Sequence, residues 1–168
     1  MSVQPSITAP RPVRIERTYR AELQDLWELW ATKEGFESWW GPEGFVVEVH
    51  ELDLRVGGAL VYDMIAHAPE MVAAMKQQGM PLSHPTHGVF TEVQAPTRLT
   101  VRYDIDFIPG VPSYENHIRL ELVAQGKQVR MIVEIEPHRD PSWTERATAG
   151  FTSQLEKLPT ALAARRTV

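Results

Sequence analysis

The chain contains no cysteine. That excludes disulfides, thiolate nucleophiles and cysteine-ligated zinc or iron–sulfur centres, and it suits a reducing cytoplasm, the location expected for the protein. Positive charge is also short: 17 Lys and Arg stand against 22 Asp and Glu, a formal net charge of -5. Nucleic-acid binders normally carry a basic stripe, so no nucleic-acid partner is expected. No apolar run approaches the ~20 residues of a spanning helix, and Met1 to Pro12 has no signal-peptide core, so no membrane insertion is expected. Phosphate-binding Gly-Lys-Ser/Thr loops and dinucleotide fingerprints are missing. None of Ser38, Ser83, Ser113, Ser142 and Ser153 sits in a nucleophile elbow. No cofactor and no catalytic residue is therefore assigned.

What the sequence does have is an ordinary globular composition, 43% apolar over 168 residues, enough for one domain with a sizeable core. Residues 1–12 hold three prolines and little hydrophobicity and are expected to form a flexible N-terminal tail. Residues 13–168 read as a single domain. Val13 to Ala21 alternates as a first strand. Leu23, Leu26, Trp27 and Trp30 have helical spacing, with Gly35 as the expected stop. A second short helix carries Phe36, Trp39 and Trp40 up to Gly41-Pro42. Alternation then marks strands at Phe45–Glu51, Leu60–Met64, His87–Ala95 (phase undetermined), Leu99–Phe107, Tyr114–Leu122 and Val129–Ile135. An inserted amphipathic helix is expected at about 68–81, with Pro69 at its start and Gly79 past its end. From Pro141 the period returns to helical, through Trp143, Ala147, Phe151, Leu155, Leu158 and Leu162. Pro159 interrupts this run and is expected to open a separate last turn.

Certain motifs resemble one family in combination: Trp39-Trp40-Gly41-Pro42 with Phe45, Asp53-Leu54-Arg55-Val56-Gly57-Gly58, Gly88-Val89-Phe90-Thr91-Glu92-Val93, and Pro96-Thr97-Arg98-Leu99. Gly150 to Leu158 is similar to that family's final helix. The family is the bacterial branch related to the C-terminal domain of the activator of the ninety-kilodalton heat-shock protein ATPase, within the START/birch-pollen-allergen-like superfamily. The resemblance covers roughly Val13 to Ala164. It implies an α+β helix-grip fold: a curved antiparallel β-sheet wrapped around a long C-terminal helix, with two short helices after the first strand and a cavity between sheet and helix. It does not imply one reaction, because such folds host many functions.

Candidate lining residues come from the inward strand faces, the insert and the final helix: Trp39, Phe45, Tyr62, Met64, Met71, Met75, Phe90, Tyr103, Phe107, Tyr114, Asn116, Met131, Trp143 and Phe151. The tyrosines and Asn116 would orient a ligand, and the methionines would adapt to it. The same side chains equally make a filled aromatic core. The insert reads either as a lid over the cavity mouth, through Met71, Val72 and Met75, or as cover for a sheet edge. His84 and His87, with His67 and Asp63, have metal-ligand chemistry but no fixed geometry, and no metal is assigned. Asp104 and Asp106 belong to a solvated outer face.

Three functions fit. The first is binding of a small, mainly hydrophobic or aromatic molecule. The second is an enzyme, cyclase- or hydrolase-like, in the same cavity. The third is a chaperone-associated, stress-response domain, as the resemblance implies; these 168 residues lack room for the extra N-terminal domain of the eukaryotic activators, so full chaperone activation is not expected. A homodimer is expected because an uncovered sheet edge needs protection.

Overall fold

Strand alternation over most of the chain, closed by a helical stretch, builds a curved seven-stranded antiparallel sheet with a C-terminal helix lying on it. The computed structural model describes residues 11–106 and 110–166. The expected tail falls almost wholly outside the described residues, as does Phe107. The strands are β1 (Val13–Tyr19), β2 (Phe45–Leu52), β3 (Ala59–Ala66), β4 (Ser83–Gln94), β5 (Arg98–Ile105), β6 (Tyr114–Gln125) and β7 (Gln128–Ile135). Their spatial order is β1-β7-β6-β5-β4-β3-β2. The helices are α1 (Leu23–Ala31), α2 (Lys33–Glu37), α3 (Pro69–Gln77), α4 (Pro141–Leu155) and α5 (Leu158–Arg166).

The α1–α2 corner differs from the sequence expectation. Gly35 does not stop α1; it lies inside α2. A Cβ there would stand 2.1 Å from the Glu28 carbonyl oxygen, so only glycine lets α2 fold back so closely. Thr32 ties the corner: its hydroxyl donates to the Glu28 carbonyl at 2.8 Å and accepts from the Gly35 N–H at 3.1 Å. The corner delivers Phe36, Trp39 and Trp40 into the core, all almost fully buried. Trp39 donates its indole N–H to the Leu29 carbonyl at 2.7 Å, which meets the polar need of a buried tryptophan. Trp40 stacks on Phe36 with ring centroids 4.5 Å apart.

Strand β4 begins earlier than its sequence pattern suggests, at Ser83. His84, Thr86, Gly88 and Phe90 share its inner face until a register shift between Phe90 and Glu92 changes the parity. Gly88 is demanded by its neighbours: a Cβ would lie 2.8 Å from Val101 Cγ1 and 3.3 Å from the Tyr103 ring.

Helix α4 starts on Asp140, whose carboxylate accepts from the Ser142 N–H at 2.9 Å. Pro141 occupies the first turn, where its missing N–H costs nothing. The chain breaks at Glu156–Lys157 before α5, because the Pro159 ring would collide with the Leu155 carbonyl in a continuous helix. Phe151, Leu155, Leu158 and Leu162 are buried, whereas Trp143 is only half-buried with the Arg146 guanidinium over its ring. Among the described residues no helix is long and apolar enough to cross a membrane.

Candidate functional site

Strand pairing lines up inward side chains across the sheet. Tyr62 on β3 is opposite Thr86 on β4, and Gly88 is opposite Tyr103 on β5, which is opposite Asn116 on β6. Helix α4 passes over these rows with Ala147, Gly150, Phe151 and Gln154 towards them. Between the two layers lies a pocket of about 240 Å³, bounded also by Trp40, Pro42, Met64, His84, Ile105, Ile118, Ile135 and His138. No Asp, Glu, Lys or Arg is among these lining residues.

The polar groups form two short networks. At the β3 side, the Tyr62 hydroxyl accepts from the Trp40 indole N–H at 3.0 Å. Burial pushes the Tyr62 phenol up to about 12, against hydrogen bonds from Tyr103, Trp40 and Thr86 that favour its ionised form. Burial also raises Tyr103 well above the usual tyrosine range. At the other side, the Tyr114 hydroxyl lies 2.5 Å from His138 Nδ1, with the Arg139 guanidinium over the Tyr114 ring. Asn116 donates to the Glu136 carbonyl at 2.7 Å. Burial lowers both His84 and His138 below the usual histidine value. At neutral pH the pocket therefore presents neutral phenols, imidazoles and amides on apolar walls. Such groups orient an uncharged molecule.

Tyr62, Met64, Tyr103, Asn116 and Phe151 are the sequence candidates that line the pocket. Trp39, Phe90 and Met131 are instead fully buried in the core. Phe45, Tyr114 and Trp143 are half-buried outside the lining, Tyr114 reaching it only through His138. Met71 and Met75 do not line the pocket; Met71 lies against the Gly44 turn, and the N–H groups of His67 and Ala68 bond the Gly44 carbonyl there. Helix α3 thus contacts the loop that carries Pro42. Among the described residues no three His, Asp or Glu side chains converge as metal ligands, and Asp63 pairs with His50 at 2.9 Å.

Sequence reasoning missed Trp40, His84, Thr86, His138, Gly150 and Gln154. Only Gln154 had a legible signal: it falls three positions after Phe151 and seven after Ala147, on the helix face that turns inward. Its side chain is 3% exposed. Its Oε1 accepts from the Gly41 N–H at 2.9 Å, while its Nε2 has no partner among the described residues.

Comparison with known proteins agrees with this architecture. None of the curated proteins compared with the chain matches it. Solved structures do match. A Chromobacterium violaceum protein is 22% identical over 91% of this chain and 97% of its own, with a TM-score of 0.71. The AHSA1 protein of Silicibacter pomeroyi is 23% identical over 92% of this chain and 99% of its own, also at 0.71. An Arthrobacter aurescens protein is 19% identical over 97% and 91%, with a TM-score of 0.74. At these identities the likeness concerns the fold alone. The family pattern described as Activator of Hsp90 ATPase homolog 1-like protein matches residues 20–163. That match runs from the turn before α1 into α5, through both layers that bound the pocket, and the chain belongs to this family.

Proposed function

We propose that the protein binds a small, mainly hydrophobic molecule in the pocket between the concave sheet face and α4. The observation that carries this reading is an apolar lining, free of Asp, Glu, Lys and Arg, into which a few neutral polar groups converge. Tyr62 and Tyr103 are held protonated by burial, so they serve as hydrogen-bonding groups and not as bases at neutral pH. Native mass spectrometry of protein purified from its host tests the reading. The expected result is a mass increment of a few hundred daltons that gentle activation removes, together with saturable one-to-one uptake of Nile red by stripped protein. A bare polypeptide mass with no saturable dye binding refutes it.

The family's description favours a second reading, stimulation of a heat-shock chaperone ATPase. Among the described residues the exposed large apolar side chains are Val46, Val56, Met80 and Val111, four residues from four segments of the chain, and nothing in the structure shows a partner seated on them. An ATPase assay with the chaperone decides this reading: a rate unchanged by saturating protein eliminates it.

A further inference from the structure

Glycine is the poorest helix former after proline, so a glycine inside a helix calls for a reason. Gly35 in α2 has one, the Glu28 carbonyl at 2.1 Å from its missing Cβ. Gly150 lies in the middle of the 15-residue helix α4 and has no such reason. Its φ is not positive, and a Cβ built on it meets no heavy atom within 4 Å. What Gly150 does is line the pocket, with Ala147, whose side chain is a single methyl, three residues before it. The inward face of α4 is therefore low in bulk along one turn, immediately before Phe151 and one turn before Gln154.

Gln154 supplies a second, independent observation one turn along the same face, about 6 Å of axial rise away. The Gly41 N–H can only donate, so the partner it finds fixes Oε1 towards Gly41 and turns the amide nitrogen the other way. That nitrogen is itself closed off from solvent and unpartnered among the described residues, on a side chain that lines the pocket, so an acceptor in the pocket reaches it on a small shift of the amide. A buried donor without an acceptor is costly, and an acceptor brought by a ligand relieves that cost.

We propose that Gly150 and Gln154 set ligand specificity: the bare backbone at Gly150 admits the flat apolar body of an uncharged ligand, and the Gln154 amide N–H donates to an acceptor oxygen on it, of the ketone or aldehyde type. This inference rests on the binding reading above and narrows it. A charged ligand is disfavoured because no Asp, Glu, Lys or Arg is among the described lining residues to replace its lost hydration. Among neutral ligands, a pure hydrocarbon leaves the Gln154 donor unpaired.

Two probes of equal shape test it: 2-acetylnaphthalene, and 2-isopropenylnaphthalene, in which a methylene replaces the carbonyl oxygen. Dissociation constants are measured by quenching of tryptophan fluorescence for the parent, Gln154→Met and Gly150→Leu. Taking the ratio of the two probes within each protein removes any general effect of a substitution on the fold. The expected result is a preference for the ketone that falls about three- to tenfold in Gln154→Met, the factor of one neutral hydrogen bond. Gly150→Leu is expected to weaken both probes by more than about tenfold by filling their space. In the parent alone, the infrared carbonyl stretch of the bound ketone is expected below its value in hexane, which keeps the donor testable should Gln154→Met not fold. An unchanged ratio, or a stretch at the hexane value, overturns the role of Gln154 and leaves the binding reading standing. Parent-like affinity of Gly150→Leu for both probes overturns the role of Gly150. Failure of both probes to bind a parent that takes up Nile red overturns this inference and leaves the binding reading standing; failure of the probes and of Nile red, with a bare polypeptide mass, removes both.

Discussion

The two helical glycines give opposite predictions for the same substitution, and that contrast tests the packing directly. Gly35→Ala places a methyl 2.1 Å from the Glu28 carbonyl oxygen, 2.7 Å from Thr32 Oγ1 and 2.8 Å from the Glu28 carbonyl carbon. Nonbonded heavy atoms favour separations of about 3.5 Å or more. Two of these three atoms are backbone, so relief requires α2 to swing away from α1 by roughly an ångström. That swing strains the Thr32 hydroxyl bonds to Glu28 and Gly35 and shifts Phe36, Trp39 and Trp40 in a core that has no slack. Overpacking costs about 1–3 kcal/mol, and a lost hydroxyl cap costs about 1 kcal/mol. Alanine's better helix propensity returns about 1 kcal/mol. The net is a loss of about 1–3 kcal/mol, or roughly 2–10 °C in melting temperature for a chain of this length. Gly150→Ala meets open space and keeps only the propensity gain, so it should stabilise by about 0.5–1 kcal/mol, roughly 1–4 °C. Urea denaturation followed by tryptophan fluorescence measures both, at equal slopes against denaturant. A Gly35→Ala midpoint at or above the parent's refutes the steric account of the corner. A destabilised Gly150→Ala refutes the claim that α4 leaves room there.

Phe151→Ala should cost about 3–5 kcal/mol, because the ring is 5% exposed and meets Trp30, Trp39 and Trp40; differential scanning fluorimetry reads the loss, and a fall of less than about 3 °C would deny it a core role. Tyr62→Phe strands the buried Trp40 indole N–H and should cost about 1–3 kcal/mol in the urea midpoint; parent-like stability would mean that this N–H finds another acceptor. Burial holds His84 and His138 below their unfolded value of about 6.5, so between the two values the unfolded chain binds more protons. Stability from these two is complete above about pH 6.5 and is lost as pH falls below it, whereas exposed His50, raised by its hydrogen bond to Asp63, works in the opposite direction. Urea midpoints at pH 7.5 and 5.5 should therefore converge in a His84→Gln, His138→Gln double variant; an undiminished difference rejects the assignment. Light scattering checks the homodimer expected from edge strands β1 and β2, and a monomer mass excludes it.

The fold was legible where one period held long enough to be unambiguous. Leu99 to Ile105 and Ile118 to Leu122 alternate without a break, Val129 to Ile135 does so except at the apolar Ile132, and the ladders of β5, β6 and β7 show no register shift against one another. The proline at 159 was legible for the same local reason: its ring excludes a continuous helix whatever the tertiary setting. β4 was not legible, because the shift between Phe90 and Glu92 makes even-numbered residues inward before it and breaks that parity after it. Pro85 added to the difficulty by looking like a loop; it pairs only with Asp63, beyond the last described β5 partner, His87 with Asp104, so β5 asks no ladder bond of it there. That hid His84 and Thr86. The choice between Trp39 and Trp40 was set by a turn of the chain, since neighbouring residues after a short helix point different ways: one goes to the Leu29 carbonyl, the other to Tyr62.

The rest of the site is illegible for a deeper reason. Sequence patterns mark where apolar bulk is buried, and a pocket is where bulk is withheld. Met131, Phe90 and Trp39 have the inward-facing apolar pattern of lining residues, but they are also large, and size is what fills a core: each is fully buried and none lines the pocket. The residues that leave room are Gly150 and Ala147, and a small residue in an apolar helical stripe looks like a weak member of that stripe. Gln154 looks like a defect in it. On this view the space beside α4 persists because alanine and glycine stand where leucine would pack, a selection that costs helix stability at Gly150. Gly150→Ala separates the alternatives in a single experiment. If it raises stability while weakening an apolar probe, the glycine is kept for the space. If it raises stability and leaves the probe untouched, the space belongs to no ligand of that shape.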